Sequence, residues 1–304
     1  MKIIIKVPAT TANLGPGFDA LGLALDLWND AEFTSTEDNN ILVSVQGEGH
    51  DRLSQTEDNA IAQAALMIYE KAGKPCSGLN INCINRIPLG SGLGSSSAAM
   101  LTGMLGANAL LGNPFTSAEI LKLAVDVEGH PDNIAPAMLG GLVASVLHEA
   151  GVISEKLPFR ENHKPIHITV VLPDFYLPTQ QARAVLPETI SRKDAIYNIS
   201  RAVLVTEALR TGNTDLLGIT MRDTLHQPYR LPLIPGAIGA LDAAKKAGAA
   251  AVAISGAGPS LIAFSASQNA NIGDTMQKAF KLAGLDARIF NLGISDTGAE
   301  IRLA

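Results

Sequence analysis

Apolar and polar positions alternate along residues 79–86, where asparagines separate Leu79, Ile81 and Cys83. Alternation with a period of two is typical of a strand that buries one face. Apolar positions at helical spacing, bounded by capping residues and glycines, predict helices instead. On these grounds we expect strands at 2–7, 32–36, 41–46, 79–86, 141–147, 166–172, 249–254, 261–264 and 287–292, and helices at 56–71, 117–128, 194–210, 235–247 and 275–282.

The ends of two helices carry clear signals. Thr116 and Glu119 have the spacing of a capping box, and Gly129 follows the predicted helix as its stop. Thr56 is the expected cap of an earlier helix that ends before Gly73. We also expect the strands at 32–36 and 41–46 to pair with each other.

Strands and helices alternate in both halves of the chain, which predicts two α+β layers rather than one continuous parallel sheet. The polar stretch 155–164 contains Pro158 and is the best boundary in the sequence. We therefore expect an N-terminal domain at 1–160 and a C-terminal domain at 161–304.

Composition narrows the class of protein. Of the 304 residues, 47% are hydrophobic but only 4% are aromatic, so the core must be built from Ala, Val, Ile and Leu. The net charge is −6 and the 23 basic residues form no long cluster, which argues against a nucleic-acid partner. Cys76 and Cys83 suggest neither a disulfide framework nor a zinc site. The N-terminus has no signal-peptide pattern, and the weakly polar run 95–111 is short for a membrane span. We expect a cytoplasmic protein with no membrane partner.

The most informative segment is a glycine- and serine-rich loop directly before the apolar run 98–111. Glycines allow positive φ and close approach of a ligand, and the N-terminus of a helix attracts an anion. The loop lacks the lysine of a Walker A motif and the spacing of the dinucleotide fingerprint. It predicts a phosphate site at Pro88, Leu89, Gly90, Ser91, Gly92, Leu93, Gly94, Ser95, Ser96, Ser97 and Ala98.

Together with three other segments, this loop resembles the GHMP kinases. Residues 7–19 read VPATTANLGPGFD, residues 127–136 read VEGHPDNIAP, and residues 254–260 read ISGAGPS. The form of the first of these is similar to the homoserine kinase branch of that superfamily. The resemblance implies an N-terminal domain like ribosomal protein S5 domain 2, a ferredoxin-like C-terminal domain, and a homodimer.

The resemblance also implies that ATP and Mg²⁺ are bound. ATP would lie on the loop at 88–98, with Asn59 near the adenine. Ser96 and Glu128 would be the protein ligands of Mg²⁺, and one or two protein oxygens plus ATP phosphates are ordinary for this ion. From the residues alone, the loop serines could simply cap the helix, and Glu128 could be a solvated helix-end glutamate.

For the second substrate, the resemblance implies L-homoserine. Asn13 and Asp19 would bind it, with Asp19 on the ammonium group, and Arg183 and Arg230 would bind the carboxylate. From spacing alone each of these arginines would be a surface residue. Two further residues complete the expected site: Asn133, which would orient the hydroxyl, and Thr179, which would face the γ-phosphate.

The identity of a proton acceptor stays open at this point. An amide such as Asn133 can orient a hydroxyl but cannot take its proton, so transfer towards the γ-phosphate is implied. Asp132 is the competing candidate for a base. His130 is expected in a turn or helix cap, since no second histidine or cysteine stands at ligand spacing.

Two other functions compete with phosphorylation of homoserine. One is another small-molecule kinase of the same superfamily, acting on mevalonate or shikimate. The other is an inactive relative that serves as a binding protein, although the intact loop and Glu128 argue against it.

Overall fold

The computed structural model describes residues 2–149 and 151–303. Its strands form two sheets, and helices pack against both. The strands are Lys2–Ala12 (β1), Leu21–Ser35 (β2), Ile41–Gly47 (β3), Leu79–Asn85 (β4), Leu142–His148 (β5), Gly151–Leu157 (β6), His167–Pro173 (β7), Ala251–Ile254 (β8), Leu261–Ser265 (β9), Ala287–Leu292 (β10) and Glu300–Leu303 (β11).

The helices lie between these strands, and a 3₁₀ turn at Leu231–Leu233 follows the eighth of them. They are Ala60–Lys71 (α1), Ser95–Leu110 (α2), Ser117–Glu128 (α3), Pro131–Leu139 (α4), Thr179–Ala184 (α5), Arg192–Thr211 (α6), Thr214–Thr220 (α7), Gln227–Arg230 (α8), Ala237–Lys246 (α9) and Ala270–Leu282 (α10).

The first sheet has the order β11-β1-β2-β4-β3, and β5 and β6 join it through β2. Only the β3–β4 pair is parallel among the described strands of this sheet. Helix α2 packs closely on the sheet because Gly106 leaves room for the ring of Phe33. A core of small and aliphatic side chains thus needs few aromatic residues, as the composition predicts.

The second sheet is antiparallel, with the order β10-β7-β9-β8. Helices α9 and α10 contact this sheet and each other. Buried residues such as Ile254, Leu261 and Phe280 form its own apolar core. Two mixed layers, rather than one parallel sheet, are therefore confirmed.

The expected pairing of 32–36 with 41–46 is wrong. Strand β4 lies between them, antiparallel to β2 and parallel to β3. Strand β4 buries every second side chain, as a central strand does, whereas β3 exposes most of its side chains and suits the sheet edge. Helix α1 makes the crossover that a parallel β3–β4 pair requires.

Thr56 is not the cap of α1. The backbone N–H of Asn59 donates to the Thr56 carbonyl, so a turn precedes the helix. Asn59 is the cap, and its Oδ1 accepts a hydrogen bond of 2.9 Å from the N–H of Ile61. The capping box of Thr116 and Glu119 is confirmed, with both reciprocal hydrogen bonds present.

The last strand was not predicted from the sequence. The four residues of β11 pair antiparallel with β1, so the chain returns to the first sheet after completing the second. The expected C-terminal domain thus contributes one strand to the N-terminal sheet, and the boundary near residue 160 stays a prediction. Within the described ranges, no helix is both long enough and apolar enough to span a membrane.

Candidate active site

A cavity of about 260 Å³ lies where the glycine-rich loop at 88–98 meets the segments 7–19, 127–136 and 254–260. It collects residues that are far apart in sequence but belong to the motifs identified above. The lining consists of Asn13, Asp19, Gly90, Ser91, Gly92, Gly94, Ser95, Ser96, Ser97, Glu128, His130, Asp132, Asn133, Tyr176, Leu177, Thr179, Arg183, Arg230, Gly256, Ala257 and Gly258.

The glycine- and serine-rich loop at 88–98, called the phosphate loop below, leads directly into α2. Gly94 is the N-cap residue, with φ of 71°, and no side chain caps the helix. The alternative that Ser95–Ser97 serve as the cap is therefore wrong, because these serines form the first turn of α2. A Cβ at Gly94 would overlap the Thr10 hydroxyl. The three serines and the helix N-terminus thus border the cavity, which suits an anion.

The second glycine-rich loop, at 254–260, hydrogen-bonds to the phosphate loop. The Ser255 hydroxyl donates to the carbonyl of Gly92 at 2.7 Å, and the Ser260 N–H donates to the carbonyl of Ser91 at 3.2 Å. A Cβ at Gly92 would collide with the backbone of residues 255 and 258. The loops from the two sheets are therefore in direct contact at the cavity.

Glu128 ends α3 beside the first turn of α2. Its Oε1 lies 3.3 Å from the Ser97 hydroxyl and its Oε2 lies 3.5 Å from the Ser96 hydroxyl. Carboxylate and hydroxyl oxygens are the ligand types that Mg²⁺ prefers. No cluster of three or more His, Cys, Asp or Glu side chains suited to a metal occurs among the described residues. An ion here would depend on additional oxygens, such as those of ATP phosphates.

Asp19 and Arg183 form a bidentate ion pair, with distances of 2.8 and 3.0 Å. The Asp19 N–H donates to Asn13 Oδ1, and the Asn13 amide donates to the carbonyl of Gly256. Hydrogen bonding to the Asp19 carboxylate raises the pKa of Arg183. The two residues expected to bind opposite charges of the acceptor are thus adjacent and bound to each other.

Arg230 is 1% exposed, so the expectation of a surface arginine is wrong. Its Nε donates to the carbonyl of Ala182 at 2.9 Å, and its guanidinium lies 5.1 Å from the ring centre of Phe18. Burial lowers its pKa to about 10, which still leaves the group charged at neutral pH. A buried cation lining a cavity is suited to an anionic ligand group.

Sequence reasoning missed a buried support beneath Arg230. His226 Nε2 lies 2.8 Å from the carbonyl of Gly15, and its ring stacks on Phe18 at 5.2 Å. Asp223 accepts hydrogen bonds from the backbone N–H groups of His226 and Gln227. The sequence marks only Arg230 in this region, and no local pattern indicates that Asp223 or His226 is buried.

Helix α4 brings Asp132 and Asn133 to the cavity. Asn133 Oδ1 accepts a hydrogen bond of 2.8 Å from the Thr10 hydroxyl. Asp132 is 3% exposed, and its Oδ1 lies 3.2 Å from Nδ1 of His130. The carboxylate of Asp132 raises the pKa of His130, against the opposing effect of burial. His130 occupies the N-cap position of α4, as predicted, but its side chain makes no capping hydrogen bond.

The remaining expected residues divide into three groups. Thr179 lines the cavity as the first residue of α5. Pro88 and Leu89 line a second cavity of about 470 Å³ that shares Gly90 and Tyr176 with the first. Three more expected residues also lie outside the first cavity: Leu93 and Ala98 are fully buried in the core, and Asn59 uses its side chain to cap α1.

The two-layer α+β fold and the charged cavity at the N-terminus of α2 are consistent with a small-molecule kinase of the GHMP class, and family models show that class. The family model described as "GHMP kinases N terminal domain" matches residues 59–141, and "GHMP kinases C terminal" matches residues 205–282. A curated homoserine kinase of Moorella thermoacetica is 43% identical over 299 residues, which cover 98% of this chain and 99% of the relative. The chain belongs to the homoserine kinase family of GHMP kinases.

Solved structures agree with this assignment. The crystal structure of homoserine kinase from Cytophaga hutchinsonii matches with a TM-score of 0.87 and 31% identity, covering 99% of this chain and 97% of that one. The Methanococcus jannaschii mevalonate kinase matches with a TM-score of 0.68 at 16% identity, which shows the shared fold alone.

Proposed function

We propose that this protein transfers the γ-phosphoryl group of ATP to the hydroxyl of L-homoserine, giving O-phospho-L-homoserine for threonine biosynthesis. One observation carries the proposal. A single cavity joins the phosphate loop to Asp19, Arg183 and Arg230, whose charges complement a zwitterionic amino acid. Family membership supports the same substrate pair.

The nucleotide would place its phosphates on the loop at 90–97, where the N–H groups of the first turn of α2 are free of helical partners. Ser96 and Glu128 would hold Mg²⁺, which neutralises charge on the phosphates when bound. We infer that the nucleoside end extends past Pro88 and Leu89 into the adjoining cavity.

The acceptor would bind through its two charged groups. Arg230 and Arg183 supply guanidinium groups for the carboxylate, and Asp19 supplies a carboxylate for the ammonium. Because Asp19 and Arg183 bind each other in the described structure, a zwitterion would insert its charges between theirs and keep every charge paired.

The reaction itself needs alignment and charge neutralisation more than covalent chemistry. The acceptor oxygen forms a bond to the γ-phosphorus while the bond to the β–γ bridging oxygen breaks, and ADP leaves. Asn133 would hold the hydroxyl, whose proton passes to an oxygen of the transferred phosphoryl group. Asp132, in the same cavity, is the competing proton acceptor. The resemblance implies a homodimer and the sequence pattern predicts a cytoplasmic location, and both stay predictions.

The proposal is tested by ADP release in a coupled assay over a panel of hydroxyl acceptors. We expect homoserine to stimulate ATP consumption far more than mevalonate, shikimate or galactose. Equal turnover with mevalonate would overturn the choice of acceptor. Absence of stimulation by every acceptor would instead favour an inactive binding protein.

A further inference from the structure

Thr10 lies at the junction of three parts of the site. It is fully buried near the end of β1, and its N–H donates to the carbonyl of Leu93 in the phosphate loop at 3.1 Å. Its hydroxyl donates to Asn133 Oδ1 on α4 at 2.8 Å. This hydroxyl also occupies the space that a Cβ at Gly94 would need. One side chain therefore connects the phosphate loop to the residue expected to hold the acceptor hydroxyl.

The hydrogen bond determines which end of the Asn133 amide faces the cavity. A threonine hydroxyl has one proton to donate, and its only acceptor among the described side-chain hydrogen bonds is Asn133 Oδ1. If the amide were reversed, its NH₂ would donate to the Thr10 oxygen instead, and the hydroxyl proton would lose its acceptor among the described side-chain hydrogen bonds. A buried donor without a partner is costly. The carbonyl end is thus held at Thr10, and Nδ2 is left for the cavity that Asn133 lines.

We propose that Thr10 is a positioning residue that fixes the polarity of the Asn133 amide, so that Asn133 donates an N–H to the oxygen of the acceptor hydroxyl. This inference rests on the proposed function. A donor at that oxygen holds it in line with the γ-phosphorus and leaves the hydroxyl's own proton directed elsewhere. With its carbonyl held at Thr10, Asn133 presents its Nδ2 donor to the acceptor hydroxyl.

The test is a double-mutant cycle between Thr10 and Asn133. Thr10→Val keeps the shape of the side chain and replaces the hydroxyl with a methyl group. We expect kcat to fall about five- to tenfold, the loss of one neutral hydrogen bond, while KM for ATP changes less than twofold. Thr10→Ser, which keeps the hydroxyl, should retain kcat within about twofold of the wild type.

The Asn133→Ala background separates amide orientation from loop packing. If Thr10 acts through Asn133, adding Thr10→Val to Asn133→Ala should cause no further loss of kcat. An equal loss in both backgrounds would overturn the proposal, because Thr10 would then act by packing against Gly94. An unchanged kcat in Thr10→Val alone would overturn it as well.

Two controls keep the result interpretable. Thermal unfolding and calorimetric ATP binding establish that each variant is folded, and Thr10→Ala replaces Thr10→Val in the same cycle if the valine variant does not fold. The wild type is assayed first with homoserine. Its inactivity would refute the proposed function, whereas an active wild type with no coupling in the cycle refutes only the role of Thr10.

Discussion

His226 and Arg230 share a fully buried space beneath the acceptor side of the cavity. The Arg230 Nη1 lies 3.4 Å from His226 Nδ1, and the opposite ring nitrogen lies 2.8 Å from the carbonyl of Gly15. A neutral ring satisfies both contacts, accepting from the guanidinium at Nδ1 and donating at Nε2. A protonated ring would direct an N–H towards a cation. The site therefore requires neutral His226.

This requirement makes stability depend on pH. Burial lowers the pKa of His226, and Arg230 acts in the same direction, against the carboxylates of Asp223 and Asp19. Below an ordinary pKa of 6.5 the unfolded chain takes up a proton that the folded protein resists, so stability is present above pH 6.5 and is lost as the pH falls.

We expect the free energy of unfolding to fall more steeply between pH 7.5 and 5.5 in the wild type than in His226→Gln. The difference is bounded by about 1.4 kcal/mol per pH unit, the value for one proton. Urea unfolding at several pH values measures it, and other titrating groups cancel between the two proteins. If the free energy of unfolding changed with pH equally in the two proteins, protonation of His226 would not destabilise the folded state, and the expectation would be wrong.

At the same scale, burial explains which residues the sequence could not place. The charge of Arg230 is visible in the sequence, but its burial depends on α5 and Phe18 lying against it. The Asn59 amide has the groups that could hydrogen-bond adenine. Its side chain instead caps the N-terminus of α1. Residue type thus predicts which charge or hydrogen-bonding group a side chain carries. Tertiary packing determines whether that group faces the cavity or is used within the fold.

Helices α2 and α3 meet at one side of the cavity, where their ends bring together the side-chain oxygens of Ser96, Ser97 and Glu128. The C-terminus of α3 disfavours a carboxylate, because the helix dipole is negative there. Glu128 nevertheless occupies that end and faces Ser96 and Ser97 at the start of α2. The Mg²⁺ ion that we propose between the two helix ends would account for this arrangement.

We expect Glu128→Gln to lower kcat about a hundredfold and to raise the Mg²⁺ concentration needed for half-maximal rate, because an anionic ligand is lost. Steady-state rates over a Mg²⁺ titration measure both effects. Asp126→Asn is the matched control, since Asp126 is on the same helix and pairs with Lys122 outside the cavity. If Glu128→Gln kept the wild-type kcat at limiting Mg²⁺, Glu128 would be only a residue at the end of a helix, with no role in binding the ion.

Elements with local signals were predictable, and those defined by distant partners were not. The capping box of α3 and the alternation of β4 appear in the sequence and are confirmed. The position of β4 between β2 and β3 depends on burial within the sheet. The pattern of neighbouring residues in the sequence does not predict it. Strand β11 has four residues, and its pairing with β1 spans nearly the whole chain.

Across the whole molecule, the site exists only because the two sheets contribute opposite walls. Asp19 follows β1 of the first sheet, whereas Arg183 lies on α5, directly after β7 of the second. A second ion pair, between Glu48 and Arg288, also joins the two sheets outside this cavity. The motifs predicted the groups of the site, but the ion pairing of Asp19 with Arg183 required the assembled fold.

We propose that this cavity recognises an amino acid by its charges beside the glycine-rich loop at 88–98. The most direct measurement is the steady-state KM for homoserine and for ATP in Arg183→Ala. A charge-assisted hydrogen bond contributes roughly 1.5–3 kcal/mol, so KM for homoserine should rise about tenfold to a hundredfold while KM for ATP stays nearly constant. Arg201→Ala, on α6 outside the cavity, should change neither. A higher KM for ATP with an unchanged KM for homoserine would assign Arg183 to the nucleotide and contradict the account.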